Sequence, residues 1–92
     1  MRDKTFYINS IKMDLLRVVT VAGDVTKDLP KQSVQEFLIH ADDDFKKINL
    51  SKLEKELYDE LQQLCSALNK SVQDDKSRLQ WAEKILTIRC RL

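Results

Sequence analysis

Apolar side chains recur at spacings of three and four along four stretches of this chain, the rhythm of amphipathic helices. In the first stretch, about residues 4–22, Ile8, Ile11, Leu15, Val18 and Ala22 form one stripe that runs on to Val25. Phe6, Tyr7, Met13, Leu16, Val19 and Val21 crowd beside it, and only Ser10, Asp14, Arg17 and Asp24 remain as a narrow polar strip. "VVTV" is β-branched, but the longer helical period outweighs it. Gly23 is placed to end the helix in a left-handed conformation.

The second stretch, about residues 31–48, carries Val34, Phe37, Ala41, Phe45 and Ile48 on one face. Pro30 suits a first helical turn, where its missing N–H would be unpaired anyway. Ser33 and Glu36 have capping-box spacing and offer a second possible start. The third stretch, about residues 50–70, opens with another capping-box pair, Ser51 and Glu54. It holds the most regular stripe: Leu50, Leu53, Leu57, Leu61, Leu64, Leu68 and Val72. The fourth, about residues 72–89, shows two rows, Leu79–Ala82–Leu86 and Trp81–Ile85–Ile88. Its tail, "IRCRL", alternates apolar and basic residues. A helix end with Arg89 and Arg91 facing the negative dipole is favoured over a short strand.

Four long helices joined by short connections predict an all-α fold, an up-and-down antiparallel four-helix bundle, in a single domain spanning residues 1–92. Composition strengthens the reading: with one Gly and one Pro the chain is short of the residues that tight β-turns need. An apolar fraction of 42% with 34% charged residues is too apolar and too balanced for disorder. The net charge of +1 is thinly spread. No segment has the dense basic stripe of a nucleic-acid binder, so that partner is not expected. Weak binding through Arg78, Lys84, Arg89 and Arg91 would require a basic face on the last helix. Cys65 and Cys90 are too few for a zinc site or a disulfide scaffold and read as reduced thiols used as small apolar residues. Gly23 and Asp24 break the early apolar run, so neither a signal peptide nor a membrane span is expected, and a cytoplasmic location follows by default.

Candidate chemistry is sparse. His40, the only histidine, is followed by Asp42, Asp43 and Asp44. On a helical wheel it lies roughly 105° from the centre of its stripe, at about 100° per residue. Asp44 falls on the border, and Asp43 and Glu36 point outward. With no second histidine, this predicts a solvated face and no metal. A phosphohistidine is disfavoured too, because phosphoryl transfer needs positive charge around the group in flight and the neighbours here are acids. Glu56 and Asp59 have a Mg²⁺-type E-x-x-D spacing but lack a matching pair on a neighbouring stretch. There is no glycine-rich phosphate loop. No catalytic residue and no cofactor are therefore expected.

The positive signal lies in the first helix, which is apolar on more sides than one bundle can cover. Met13, Leu16 and Val19 form the candidate protein interface. The expected function is non-enzymatic: a protein–protein interaction or small regulatory module, self-associating as a homodimer. The alternative is a small helical enzyme or phosphocarrier using His40 or the Glu56/Asp59 pair.

Overall fold

Three of the four long helices begin at a side-chain cap, and the other has Pro30 at its N-cap position instead of in its first turn. The computed structural model describes residues 3–92. Helix α1, Lys4–Ala22, starts where the Asp3 side chain accepts from the Phe6 N–H at 3.0 Å. Helix α2, Lys31–Lys46, starts directly after Pro30, so the Ser33–Glu36 spacing lies inside the helix and is not a cap. Helix α3, Lys52–Ser66, opens on the full Ser51–Glu54 capping box. After a single turn, α4, Leu68–Ser71, helix α5, Asp75–Arg91, is capped by Asp74, which accepts from the Ser77 N–H at 2.7 Å. Residues 88–91 are helical, and no strand occurs among the described residues.

The four long helices form an antiparallel square. α1 packs between α2 and α5, α3 closes the far side against the same two helices, and α1 and α3 are diagonal. Side-chain bonds show the directions. Arg78, early in α5, reaches Ala22 at the end of α1, while Arg89 reaches back to Lys12. Ser10 of α1 meets Asp44 of α2, Tyr58 of α3 meets Asp42 of α2, and Trp81 of α5 meets Leu64 of α3. The core is the expected stripe of α1 from Ile8 to Ala22 with Val34, Ala41, Phe45, Leu57, Leu61, Leu68, Trp81, Ile85 and Ile88. No helix among the described residues is long and apolar enough to cross a membrane.

Four expectations need correction. In α2 the inward face is turned toward Leu38, which is buried, whereas Phe37 is only partly buried, with the Arg17 guanidinium 5.7 Å from its ring centre. In α5, of the two apolar rows, Trp81–Ile85–Ile88 goes inward with Ala82, where the indole reaches Leu64 of α3, and Leu79 and Leu86 are exposed. The third stretch is not one helix. The Trp81 indole N–H donates to the Leu64 carbonyl at 2.9 Å, the acceptor that a continuous helix would offer to Leu68, and the chain breaks at Ala67. Leu53, at its start, is exposed.

The fourth correction concerns Gly23. It is right-handed (φ −76°, ψ −15°), not left-handed, and no residue has positive φ among those described. The carbonyls at the end of α1 are satisfied from elsewhere. Arg78, buried, donates through Nε to Ala22 O (2.8 Å), through Nη2 to Val21 O (2.8 Å) and Asp24 O (2.7 Å), and through Nη1 to Lys27 O (2.8 Å). One guanidinium thus ends α1 and folds the 23–30 connection onto α5.

Arg78→Met should lower the unfolding free energy in urea by about 2–4 kcal/mol, since it strands several carbonyls that now have a charged donor. Arg78→Lys should recover only part of this, because an ammonium lacks the planar fork. In the core, Leu61→Ala should cost roughly 2–5 kcal/mol, while the exposed Leu53→Ala should stay within about 0.5 kcal/mol. A loss below about 1 kcal/mol at Leu61 would place the third stripe in solvent.

Candidate functional site

The aspartate run on α2 fans out. Successive helical residues differ by about 100°, so three adjacent aspartates cannot share a surface. Asp42 turns toward α3, where it accepts from Tyr58 Oη (2.6 Å) and Gln62 Nε2 (2.5 Å) and pairs with Lys46 (3.0 Å). Burial pushes its carboxyl up, but the bonds from Tyr58, Lys46 and Gln62 outweigh it and hold Asp42 below the usual carboxylate range. The same bond to Asp42, with burial, pushes the Tyr58 hydroxyl up to about 12. Asp43 is exposed, as expected. Asp44 turns toward α1 and is only 3% exposed, where the sequence placed it on the border.

Asp44 meets a second carboxylate there. Asp14 of α1, read from the sequence as part of a polar strip, is 2% exposed. His40 lies over both. Its side chain is 59% exposed, in line with a largely solvated position, but its Nδ1 edge is engaged. Nδ1 bonds Asp14 Oδ2 and lies 3.6 Å from Asp44 Oδ2. The other oxygens face cations: Asp14 Oδ1 pairs with Arg17 Nη1 at 3.2 Å, and Asp44 Oδ1 with Lys47 Nζ at 3.8 Å. Ser10 Oγ donates to Asp44 Oδ2 at 2.7 Å. Asp14, His40 and Asp44 are the one group of three ligating side chains, among the described residues, whose donor atoms lie within 4.8 Å of one another. The wheel missed it because it knows only one helix; the partner carboxylate comes from α1.

The remaining candidates are dispersed. Glu56 and Asp59 are both exposed on α3. Cys65 is half-buried and Cys90 exposed, both as free thiols, so only Cys65 is used as a core-packing residue. Burial, and then the charge of Asp42, pushes the Cys65 thiol up to about 11, which leaves little thiolate for nucleophilic attack. The basic face proposed for the last helix is divided: Arg78 is buried and Arg89 is bonded to the Lys12 carbonyl, while Lys84 and Arg91 are exposed. Met13 and Leu16 are exposed, and Val19 packs partly against the core.

The fold and site define an all-α four-helix bundle with a histidine–dicarboxylate cluster on the α1–α2 seam. No protein-family model, curated protein or solved structure matches the chain.

The bond from Asp14 and its charge, reinforced by Asp44, raise the His40 pKa above its ordinary 6.5, against smaller opposition from burial and Lys47. A raised folded-state value makes the charged imidazole a stabilising group. Its contribution is complete below about pH 6.5 and is lost as pH rises through the folded value. With chelator present, NMR titration of the His40 ring should give a midpoint above 6.5 that falls in Asp14→Asn. Wild type should exceed His40→Gln in stability below that pH, with the margin shrinking upward. A midpoint at or below 6.5 would remove the ion pair.

Proposed function

We propose that this chain is a non-enzymatic helical-bundle module that works by binding protein, and that it self-associates as a homodimer through the outer flank shared by α1 and α5. One observation carries the reading: Met13, Leu16, Leu79 and Leu86 are 56%, 44%, 41% and 39% exposed. Isolated exposed leucines are ordinary. These four are not scattered. The Arg78–Ala22 and Arg89–Lys12 bonds set the α1–α5 register, which brings Leu86 level with Leu16 and Leu79 level with the last turn of α1. Leu16 follows Lys12 by one turn on the flank that faces α5, and Met13 adjoins it. Leu79 and Leu86 share a row with Ala82 and Arg89, the residues turned toward α1. Exposed apolar side chains at matching levels on both borders of one seam are the kind of surface that marks a protein partner.

A second copy is the simplest partner, and a two-fold pair is its commonest form. Val19, half-buried, contributes to packing within the bundle more than to that surface. The two free thiols agree with a reducing compartment such as the cytoplasm. A phosphocarrier role for His40 would have to use Nε2, because Nδ1 is engaged by Asp14 and lies beside Asp44.

Sedimentation equilibrium tests the proposal. The wild type should dimerise in the micromolar range, and the Leu16→Glu, Leu86→Glu double variant should be a monomer with an unchanged helical circular dichroism spectrum. A wild type that stays monomeric to high micromolar concentration overturns the homodimer. A variant that still dimerises overturns this placement of the interface.

A further inference from the structure

We propose that Asp14, His40 and Asp44 form a binding site for one divalent transition-metal ion, of the Zn²⁺ or Mn²⁺ kind, that clamps α1 to α2. The argument starts from which atoms converge. Asp14 Oδ2, His40 Nδ1 and Asp44 Oδ2 lie within 4.8 Å of one another, and they come from two helices. Ligands bound at about 2.0–2.2 Å to one ion are separated by roughly 3–3.5 Å in tetrahedral or octahedral arrangements. The 3.6 Å between Nδ1 and Asp44 Oδ2 is close to that spacing. Asp14 Oδ2, now hydrogen-bonded to Nδ1, has only to draw back for an ion to take the place of the shared proton. On binding, the Nδ1 lone pair and one oxygen of each carboxylate coordinate the ion, and the Nδ1 proton leaves to solvent.

The carboxylates are suited to this by how their outer oxygens are held. Each Oδ1 is turned toward a cation, Arg17 for Asp14 and Lys47 for Asp44, which leaves each Oδ2 directed at the cluster. Groups that fix the far side of a ligand are a regular part of metal sites. The two cations oppose an incoming positive ion, but both side chains are more than half exposed, so solvent weakens that opposition. Ser10 Oγ, 2.7 Å from Asp44 Oδ2, orients that carboxylate and adds an oxygen beside the site.

Access and ligand chemistry complete the case. Two of the three ligands, Asp14 and His40, line a recess of about 270 Å³ together with Ser10, Met13 and Arg17, and Asp44 lies outside its lining; the recess leaves room for water on the Asp14–His40 side of the ion. Both carboxylates are nearly fully buried, so few rotamers are open to them and little is lost in ordering them, apart from the withdrawal of Asp14 Oδ2 from Nδ1. One imidazole with two carboxylates suits a borderline ion such as Zn²⁺ or Mn²⁺. The ion would tie together two helices that now meet along this seam through packing, hydrogen bonds and the His40–Asp14 ion pair.

The test uses the full 92-residue chain and each metal alone. Zn²⁺ should bind with one equivalent by calorimetry and raise the melting temperature. Mn²⁺ at low ratio should broaden the His40 ring resonances of the wild type before others. Asp44→Asn and His40→Gln should each weaken Zn²⁺ binding by about tenfold or more. The Cys65→Ser, Cys90→Ser variant should bind as the wild type does. Undisturbed His40 resonances in excess Mn²⁺ together with no Zn²⁺ heat would overturn the site. So would Zn²⁺ binding that survives His40→Gln and disappears with the cysteines. If a carboxylate variant fails to fold, the wild-type Mn²⁺ broadening decides by itself.

Discussion

A single buried guanidinium holds the frame to which everything else is fixed. The last turn of α1 and the connection to α2 present backbone carbonyls toward α5, and Arg78 accepts the task of satisfying four of them. A buried carbonyl without a donor is destabilising, and a buried charge without partners more so. Here each deficiency removes the other. The result fixes three things together: where α1 stops, how the chain turns toward α2, and how far α5 is displaced along α1. Arg89, donating to the Lys12 carbonyl at 3.1 Å, repeats the register further along the seam. Apolar packing between α1 and α5 is non-directional, so these two arginines supply the direction.

The two seams of α1 contrast in kind. Toward α5 the contact is apolar, with its register set by bonds from side chain to backbone. Toward α2 it is apolar at the centre and polar along its edge, where Ser10, Asp14, His40 and Asp44 bond to one another. A polar edge tolerates few alternatives, because a shift of one residue would strand buried carboxylates. α2 is fixed on its other side as well, where Asp42 gathers Tyr58 and Gln62 of α3. Asp42 and Asp44 together therefore orient one helix between two neighbours, while Asp43 faces solvent.

Much of this frame was legible in the sequence, and the failures share a cause. The α1 stripe, the Ser51–Glu54 cap, the long helices and their antiparallel order follow from spacing and cap chemistry, which are local. What spacing misjudged were flank positions. Phe37 against Leu38, Leu79 and Leu86 against Trp81, and Asp44 at the border all lie where a small rotation of the helix decides burial. That rotation depends on the neighbouring helix. Polar residues were assigned to solvent by the same reasoning, and so Asp14, Asp44 and Arg78 were missed as buried groups. Each is buried because a partner on another helix, or on a distant carbonyl, satisfies it. The break at Ala67 has the same origin, since the indole that takes the Leu64 carbonyl is 17 positions away. The candidate site was half legible: His40 and Asp44 stood out on one helix, and Asp14 could not be paired with them before α1 and α2 were docked.

The geometry also bears on the two roles proposed for α1. The dicarboxylate cluster lies on its α2 flank and Leu16 toward its α5 flank, while Met13, on the outer face between them, borders the recess that Asp14 and His40 line. Neither set shares a side chain with the other, and neither contains a residue of the central core. Leu16 and Leu86 make none of the cluster's hydrogen bonds or ion pairs, and sites without shared partners are close to additive in energy. A coupling between metal and association would therefore have to pass through a movement of α1 as a body. Arg78 opposes such a movement, because sliding α1 along α5 breaks its bonds to Val21 and Ala22 in one step. The same constraint that sets the register of the bundle keeps its two surfaces independent.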